Sequence, residues 1–264
     1  MPDFNTQVPH IARIYNYWLG GKDNFAADRE AAERALAAAP AIRTGVHANR
    51  RFLGRAVRYM ADAGIRQFLD IGTGIPTANN THQVAQSVAP EAKVVYVDND
   101  PIVLSHARAL LKGTSAPTAY IDADARDTEK ILEAAAETLD FGQPVGVMLI
   151  ALLHCIPDED DPRGLVRTLM DAVPSGSYLA ISHPYEEHHP HEEAGPQRSE
   201  AAEMLSKAMG KKVTLRVRED VAPFFAGLEL VDPGVVPIQE WRPDSQLDIN
   251  SPATNMTGGL ARKP

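Results

Sequence analysis

The sequence predicts an α/β fold: a Rossmann-like, mostly parallel sheet with helices on both faces and a helical N-terminal extension. Three observations carry this expectation. Short apolar runs alternate with helix-period segments from residue 67 to residue 182, the pattern of parallel strands joined by right-handed helical crossovers. The longest run, from Val145 to Leu153, is apolar throughout, as expected when helices cover both faces of a sheet. The first 65 residues contain no such run and read as helix. Residues 1–65 are therefore expected to form a helical lid or extension. Residues 66–264 should form the main domain, in one compact unit with it.

Each element has a local reason. A helix over Ile11–Leu19 is stopped by Gly20-Gly21, since glycine favours a helix C-terminus. A second covers Asp28–Ala39, with Glu30 and Arg34 at pairing distance and Pro40 behind it. A third runs from Val46 to Ala63, with Phe52, Val57 and Met60 on its apolar side and Gly64 as its stop. The period then changes. Strands are expected at Gln67–Ile71, Val94–Val97, Ala119–Ile121, Val145–Leu153 and Tyr178–Ser182. Helices fall between them at Asn80–Ala89, from Asp100-Pro101 to Leu111, from Asp127 to Leu139 and from Asp161-Pro162 to Val173. Two start with Asp-Pro, a cap followed by the residue best tolerated in a first turn. Further on come a polar loop over Glu186–Gln197, a helix over Ser199–Met209 stopped by Gly210, the segment Val213–Val217 and a short helix near Asp220–Ala226. Leu228–Val231 and Val235–Trp241 read as strands joined by a turn at Asp232-Pro-Gly234. The tail from Asn255 to Pro264 is expected to be loose.

Composition narrows the function classes. The 264 residues are 44% hydrophobic and 23% charged, with a net charge of -9. No basic block is present to neutralise a phosphate backbone, so nucleic acid is not an expected partner. No apolar run approaches the length of a membrane span. Cys155 is the single cysteine, which excludes an intrachain disulfide and suits a cytoplasmic setting.

In an open parallel sheet ligands bind at the carboxyl ends of the strands, so the chemistry lies in the residues just past each strand. After the first comes Asp70-Ile-Gly-Thr-Gly74, where Gly72 and Gly74 let backbone approach a ligand. After the second, Asp98 stands 28 residues beyond Asp70, placed to accept hydrogen bonds from ribose hydroxyls. After the third comes Asp122-Ala-Asp-Ala-Arg126, able to face an adenine amino group. A Gly-x-Gly pair alone also fits a plain tight turn; three acidic loops behind consecutive strands do not. The loop also separates cofactor classes. Pro76 lacks the N–H and the small size that a pyrophosphate loop needs. The Asp70 charge repels a pyrophosphate and attracts an ammonium or sulfonium.

The chain resembles the class I S-adenosylmethionine-dependent methyltransferases, and more closely an actinobacterial S-adenosyl methyltransferase family formerly called DUF574. The matching stretches are Ala12–Phe25, Ala27–Glu30, Phe68–Thr77, Val95–Pro101 and Leu153–Pro157. The resemblance implies a seven-stranded sheet ending in an antiparallel hairpin, assigned to Leu228–Trp241. It implies S-adenosylmethionine as cofactor, with Asp70 near the methionine amino group, Gly72 and Gly74 against the cofactor, Asp98 at the ribose, and Asp124 with Ala125 at the adenine. Tyr15, Asn99 and Leu152 complete the expected cofactor-binding set. Pro76 departs from the usual third glycine.

Methyl transfer is a displacement at a sulfonium carbon, so the protein chiefly positions an acceptor. His154 past the fourth strand and Tyr17 in the lid are the candidate catalytic residues, with His183 behind them; the plainer reading makes the histidines hydrogen-bonded strand ends. The lid aromatics Tyr15, Tyr17 and Trp18 either stack on ligand or serve as core, and Lys22-Asp23 could touch its polar end. No metal is expected: His183, His188, His189 and His191 lack ligand spacing, and Asp161 in Asp158–Asp161 reads as a helix cap. The expected partner is a small-molecule methyl acceptor. The alternatives are a regulatory protein that binds the cofactor without methyl transfer, and an NAD-dependent oxidoreductase, which Pro76 disfavours.

Overall fold

A computed structural model describes residues 5–110, 116–186 and 200–264. Three N-terminal helices, α1 (Ile11–Trp18), α2 (Ala26–Ala38) and α3 (Ile42–Asp62), precede the alternating region. That region runs β1 (Gln67–Ile71), α4 (Thr81–Val88), β2 (Lys93–Asp98), α5 (Pro101–Leu110), β3 (Thr118–Asp122), α6 (Thr128–Ala135), β4 (Gly146–Ile150), α7 (Pro162–Asp171) and β5 (Tyr178–Glu186). Then come α8 (Glu200–Met209), β6 (Arg216–Val217), β7 (Glu229–Leu230), β8 (Val236–Pro237), α9 (Gln246–Ile249) and β9 (Met256–Arg262).

The main sheet has the order β3-β2-β1-β4-β5-β9-β7, seven strands along its path, with β6 added beside β5 and β8 beside β9. β1 to β5 are parallel, and β9 is antiparallel to β5. Each central strand feeds two cores because its side chains alternate. Leu69, Val95, Val147 and Leu179 pack with Ile131 of α6 and Leu169 of α7 on one face. Phe68, Val94, Met148 and Ala180 pack with Phe52 and Met60 of α3 and Val84 of α4 on the other. A third cluster joins Ile14 and Trp18 of α1, Ala31 and Ala35 of α2, and Leu205 and Met209 of α8. The N-terminal extension is thus packed against a helix from the other end of the chain. Among the described residues no helix is long and apolar enough to cross a membrane.

Several element expectations need correction. β4 ends at Ile150, because Ala151 turns to φ 49° and a 3-10 turn comes next at Leu153–Cys155. α6 stops at Ala135, and the chain closes with a turn in which the Leu139 N–H donates to the Ala135 carbonyl. β5 runs on to Glu186, since β9 continues beside it. The expected hairpin does not form. β7 and β8 both pair with β9, at opposite ends of it, making one edge strand broken by the turn at 232–234. The tail expected to be loose is β9 itself, buried from Met256 to Ala261 between β5 and that edge. Its glycines are the reason. A Cβ on Gly258 would lie 2.8 Å from the Ile181 carbonyl oxygen, so only glycine admits so close a strand approach. The expected loop over Glu186–Gln197, with His188, His189 and His191, lies outside the described residues beyond Glu186.

Candidate cofactor and acceptor cleft

A cleft of ≈ 620 Å³ opens across the carboxyl ends of β1, β2, β3 and β4. The chain bends there for local reasons. Gly72 and Gly74 adopt φ of 74° and 65°, a region where a side chain is strained. The Gly72 and Thr73 amides donate to the Val97 carbonyl at 2.8 and 3.2 Å, tying the loop to β2. A Cβ on Gly72 would come within 2.6 Å of Leu152 Cδ1, whereas nothing lies within 4 Å of one on Gly74. The first glycine permits packing, and the second leaves room.

Five aspartates line this cleft; Asp100 and Asp160 are held by arginines, and Asp70, Asp98 and Asp124 are the three expected at the strand ends. Asp70 is buried and accepts a hydrogen bond from Thr81 Oγ1 at 2.6 Å. Burial pushes its pKa up to about 6, ahead of the opposing Thr81 bond and Arg50 charge. Asp98 is buried too, and burial raises it as well. Its Oδ2 accepts from the Gly74 amide at 2.7 Å and its Oδ1 from the Asp100 amide at 2.9 Å. Asp124 differs: the Arg126 side chain, placed against it at 2.8 Å, brings its pKa down to about 2. Asp124 Oδ1 accepts from the Arg126 amide and Nε, and its Oδ2 from Arg126 Nη2 and from Asn99 Nδ2. Arg126 also reaches Asp160 at 3.0 Å.

Every expected cofactor-binding residue lines this one cleft: Tyr15, Asp70, Gly72, Gly74 and Asp98, then Asn99, Asp124, Ala125 and Leu152. Tyr15 donates to the Val46 carbonyl at 3.2 Å and accepts from Asn49 Nδ2 at 3.0 Å, while burial raises its pKa. The expected catalytic residues are not there. Tyr17 points outward and bonds to Glu33, away from the cleft. Its neighbours on α1 explain this, because helical spacing turns Tyr15 inward and Ile14 and Trp18 to the α2 face. His154 is turned behind the cleft by the 3-10 turn, so that Leu152, Cys155 and Ile156 line it instead. Its ring meets His183 edge-on at 6.0 Å, and its Nδ1 is buried without a partner among the described residues. Burial, then the Arg216 charge, depresses His154 to about 4.

Arg216 organises this region and was not anticipated. It is buried, donates to the carbonyls of Leu153 and Ile156 at 2.9 and 3.0 Å, and pairs with Asp158 at 2.7 Å. Its Nη1 lies 2.9 Å from His183 Nε2, and His183 Nδ1 donates to the Pro184 carbonyl at 2.6 Å. Burial first, then the neighbouring His154, depresses His183 to about 3, so both of its nitrogens serve as fixed hydrogen-bond partners. The acidic stretch is dispersed. Asp158 meets Arg216, Glu159 meets Lys212, Asp160 meets Arg126, and Asp161 caps α7 through the Gly164 amide at 2.9 Å. Among the described residues no cluster of three His, Cys, Asp or Glu is placed to hold a metal ion.

The N-terminal extension contributes further groups to the cleft. His10 lies 2.9 Å from Asp100 Oδ2, and Arg13 reaches the same oxygen at 3.2 Å. Asn49, Arg50 and Leu53 of α3, Met209 at the end of α8, and Lys211 and Val213 after it are also in the walls. The available signal was Asn49 and Arg50 on the same helical face as Val46 and Leu53.

The model of the S-adenosyl methyltransferase family matches residues 1–264. The chain is similar to a DUF574-family protein of Streptomyces avermitilis, with 44% identity over 98% of this chain and 99% of that one and a TM-score of 0.91. It is also similar to a candidate methyltransferase of Thermobifida fusca, with 40% identity over 99% of this chain and 97% of that one and a TM-score of 0.88. Comparison with curated proteins gave no match. With the family matched along its whole length, the chain belongs to the S-adenosyl methyltransferases, enzymes whose methyl donor is S-adenosylmethionine.

Proposed function

We propose that this methyltransferase acts on a small molecule, held in the ≈ 620 Å³ cleft beneath a lid formed by the N-terminal helices and the end of α8. The observation that carries the reading is the convergence of Asp70, Asp98 and Asp124, from three adjacent strands, on one walled cavity. Its size lies in the range of roughly 300–1,000 Å³ usual for small-ligand pockets. The residues present fit the donor. Asp98 takes the ribose hydroxyls on lone pairs left by two backbone amides. Asp70 takes the ammonium of the methionine part. Asp124 takes the adenine amino group on a lone pair that Arg126 or Asn99 gives up, because all four are filled here.

When bound, the donor supplies an electrophilic methyl group on a sulfonium. The chain supplies orientation and water exclusion. Leu152, Cys155 and Ile156 present an apolar wall past β4, and Tyr15 is fixed by its bonds to Val46 and Asn49. Ala12, Arg13 and Tyr15 bring α1 over the opening, as a lid should. The same reading sets the enzyme in the cytoplasm, where the thiol of Cys155 stays reduced.

The test uses S-adenosylmethionine labelled in its methyl group, incubated with the protein and a whole metabolite extract. Label should appear in the fraction below the size of a peptide and be lost with Asp98→Ala. Label confined to protein or nucleic acid would refute the small-molecule acceptor.

A further inference from the structure

Arg50 is a cation of the cleft that the described parts of lid and sheet leave without an acid. It projects from α3 one residue after Asn49 and lines the cavity with Tyr15 and Asp70. Its partners among the described residues are all neutral. Nη2 donates to the carbonyls of Ala78 and Asn79 at 3.1 and 2.9 Å and lies 3.5 Å from Asn80 Oδ1. Its Nε is buried with no partner among them. The other arginines of the cleft are spoken for: Arg13 by Asp28 and Asp100, and Arg126 by Asp124 and Asp160.

Position adds to this. Arg50 and Asp70 grip the same turn from two sides. Arg50 holds its carbonyls at residues 78 and 79, and Asp70 holds the Thr81 hydroxyl at 2.6 Å. The guanidinium charge reaches Asp70 and Tyr15, where it opposes the burial effect on each. The cleft therefore presents an acid, Asp70, and a guanidinium with no ion pair among the described residues, both bonded to the turn over residues 78–81. That pair is complementary to one chemical class, an α-amino acid zwitterion, whose ammonium and carboxylate hang from a single carbon. A planar guanidinium held at one edge keeps its remaining N–H groups for a carboxylate.

We propose that Arg50 is the carboxylate receptor of the cleft, pairing with Asp70 as a cradle for the amino acid end of the donor. This rests on the donor site proposed above. Arg50 also anchors the carbonyls of Ala78 and Asn79, just past Pro76, so carboxylate recognition and the turn that leads into α4 share one side chain.

The experiment is calorimetry with S-adenosylhomocysteine and with 5′-methylthioadenosine, which lacks the amino acid end. Wild type should bind the first more tightly than the second. Arg50→Met should weaken S-adenosylhomocysteine by about ten- to a hundredfold, the loss expected for a charge-assisted bond. It should change 5′-methylthioadenosine less than about twofold. Arg50→Lys, which keeps the charge but cannot hold turn and carboxylate together, should close part of the gap and serves if the Met variant does not fold. Equal weakening of both ligands would make Arg50 a brace for the turn alone, and an unchanged gap would give the carboxylate to another group; either overturns the assignment. Wild type that binds neither ligand would overturn the donor site itself.

Discussion

Burial lifts the Asp70 carboxyl to about 6, against a hydrogen bond from Thr81 and the nearby charge of Arg50. A carboxyl raised in the folded state holds its proton more tightly there than in the unfolded chain. Its ionised form therefore costs stability, on the order of 3 kcal/mol, fully felt above pH 6 and relieved as pH falls toward 4. A buried carboxylate that weakens the fold at neutral pH is what an ammonium ligand can exploit, since the ligand supplies the missing charge. Affinity for S-adenosylhomocysteine should accordingly drop about tenfold between pH 7 and pH 5. Asp70→Asn should bind weakly at both values and melt higher than wild type at pH 7.5. Titration calorimetry and thermal melts read these effects, and a pH-independent wild-type affinity would remove Asp70 from the ammonium. The sequence made Asp70, Asp98 and Asp124 legible because each lies directly at or past its strand end, where the fold fixes the direction of approach. His154 stands a few residues past the Ile150 strand end, and the left-handed turn at Ala151 reverses its side chain. Direction beyond a strand end depends on backbone angles that residue type does not reveal. Arg50 and Arg216 were hidden for a different reason, since a guanidinium on a helix or short strand looks like ordinary surface charge until its partners are known.

The alternating elements from β1 to β5 were readable because strand and helix there are encoded locally, by apolar runs, Asp-Pro caps and glycine stops. The far edge was not. Met-Thr-Gly-Gly-Leu-Ala-Arg carries little strand propensity, and its partners at Tyr178–Pro184 lie 72 to 84 residues back in the chain. Gly258 and Gly259 read as looseness, yet they are what lets β9 enter. A Cβ at Gly258 would meet the Ile181 carbonyl oxygen at 2.8 Å and Phe52 and Ile238 at 3.1 Å. Backbone cannot yield as a side chain tip can, so Gly258→Ala should cost about 2 kcal/mol or more. Ending the chain at Asn255 should prevent folding, as it exposes β5 and leaves β7 and β8 unpaired. Urea unfolding of the first variant and soluble yield with circular dichroism of the second are the measurements. Native stability in either would mean the tail is an addition to a sheet already complete.

At the scale of the whole molecule, opposite pH effects meet in one fold. His154 and His183 sit together between the β4 turn and Arg216, depressed to about 4 and about 3. A histidine kept neutral in the folded state gains its proton first in the unfolded chain, so stability is intact above about 6.5 and falls as pH drops below it. At pH 5 the two together cost on the order of 4 kcal/mol, while Asp70 returns on the order of 1 over the same interval. The histidines win, and the protein should lose roughly 3 kcal/mol between pH 7 and pH 5. The cause is the way the cleft is built. The loop after β4 that walls the cleft is held from behind by Arg216, and a cation so buried tolerates only neutral imidazoles beside it. A His154→Gln, His183→Gln double variant, whatever its stability at pH 7, should show a markedly flatter profile from pH 6.5 to pH 5. Urea melts at half-unit steps supply the slopes. If wild type and double variant decline in parallel, the acid sensitivity lies elsewhere and the histidines are not the groups that set it.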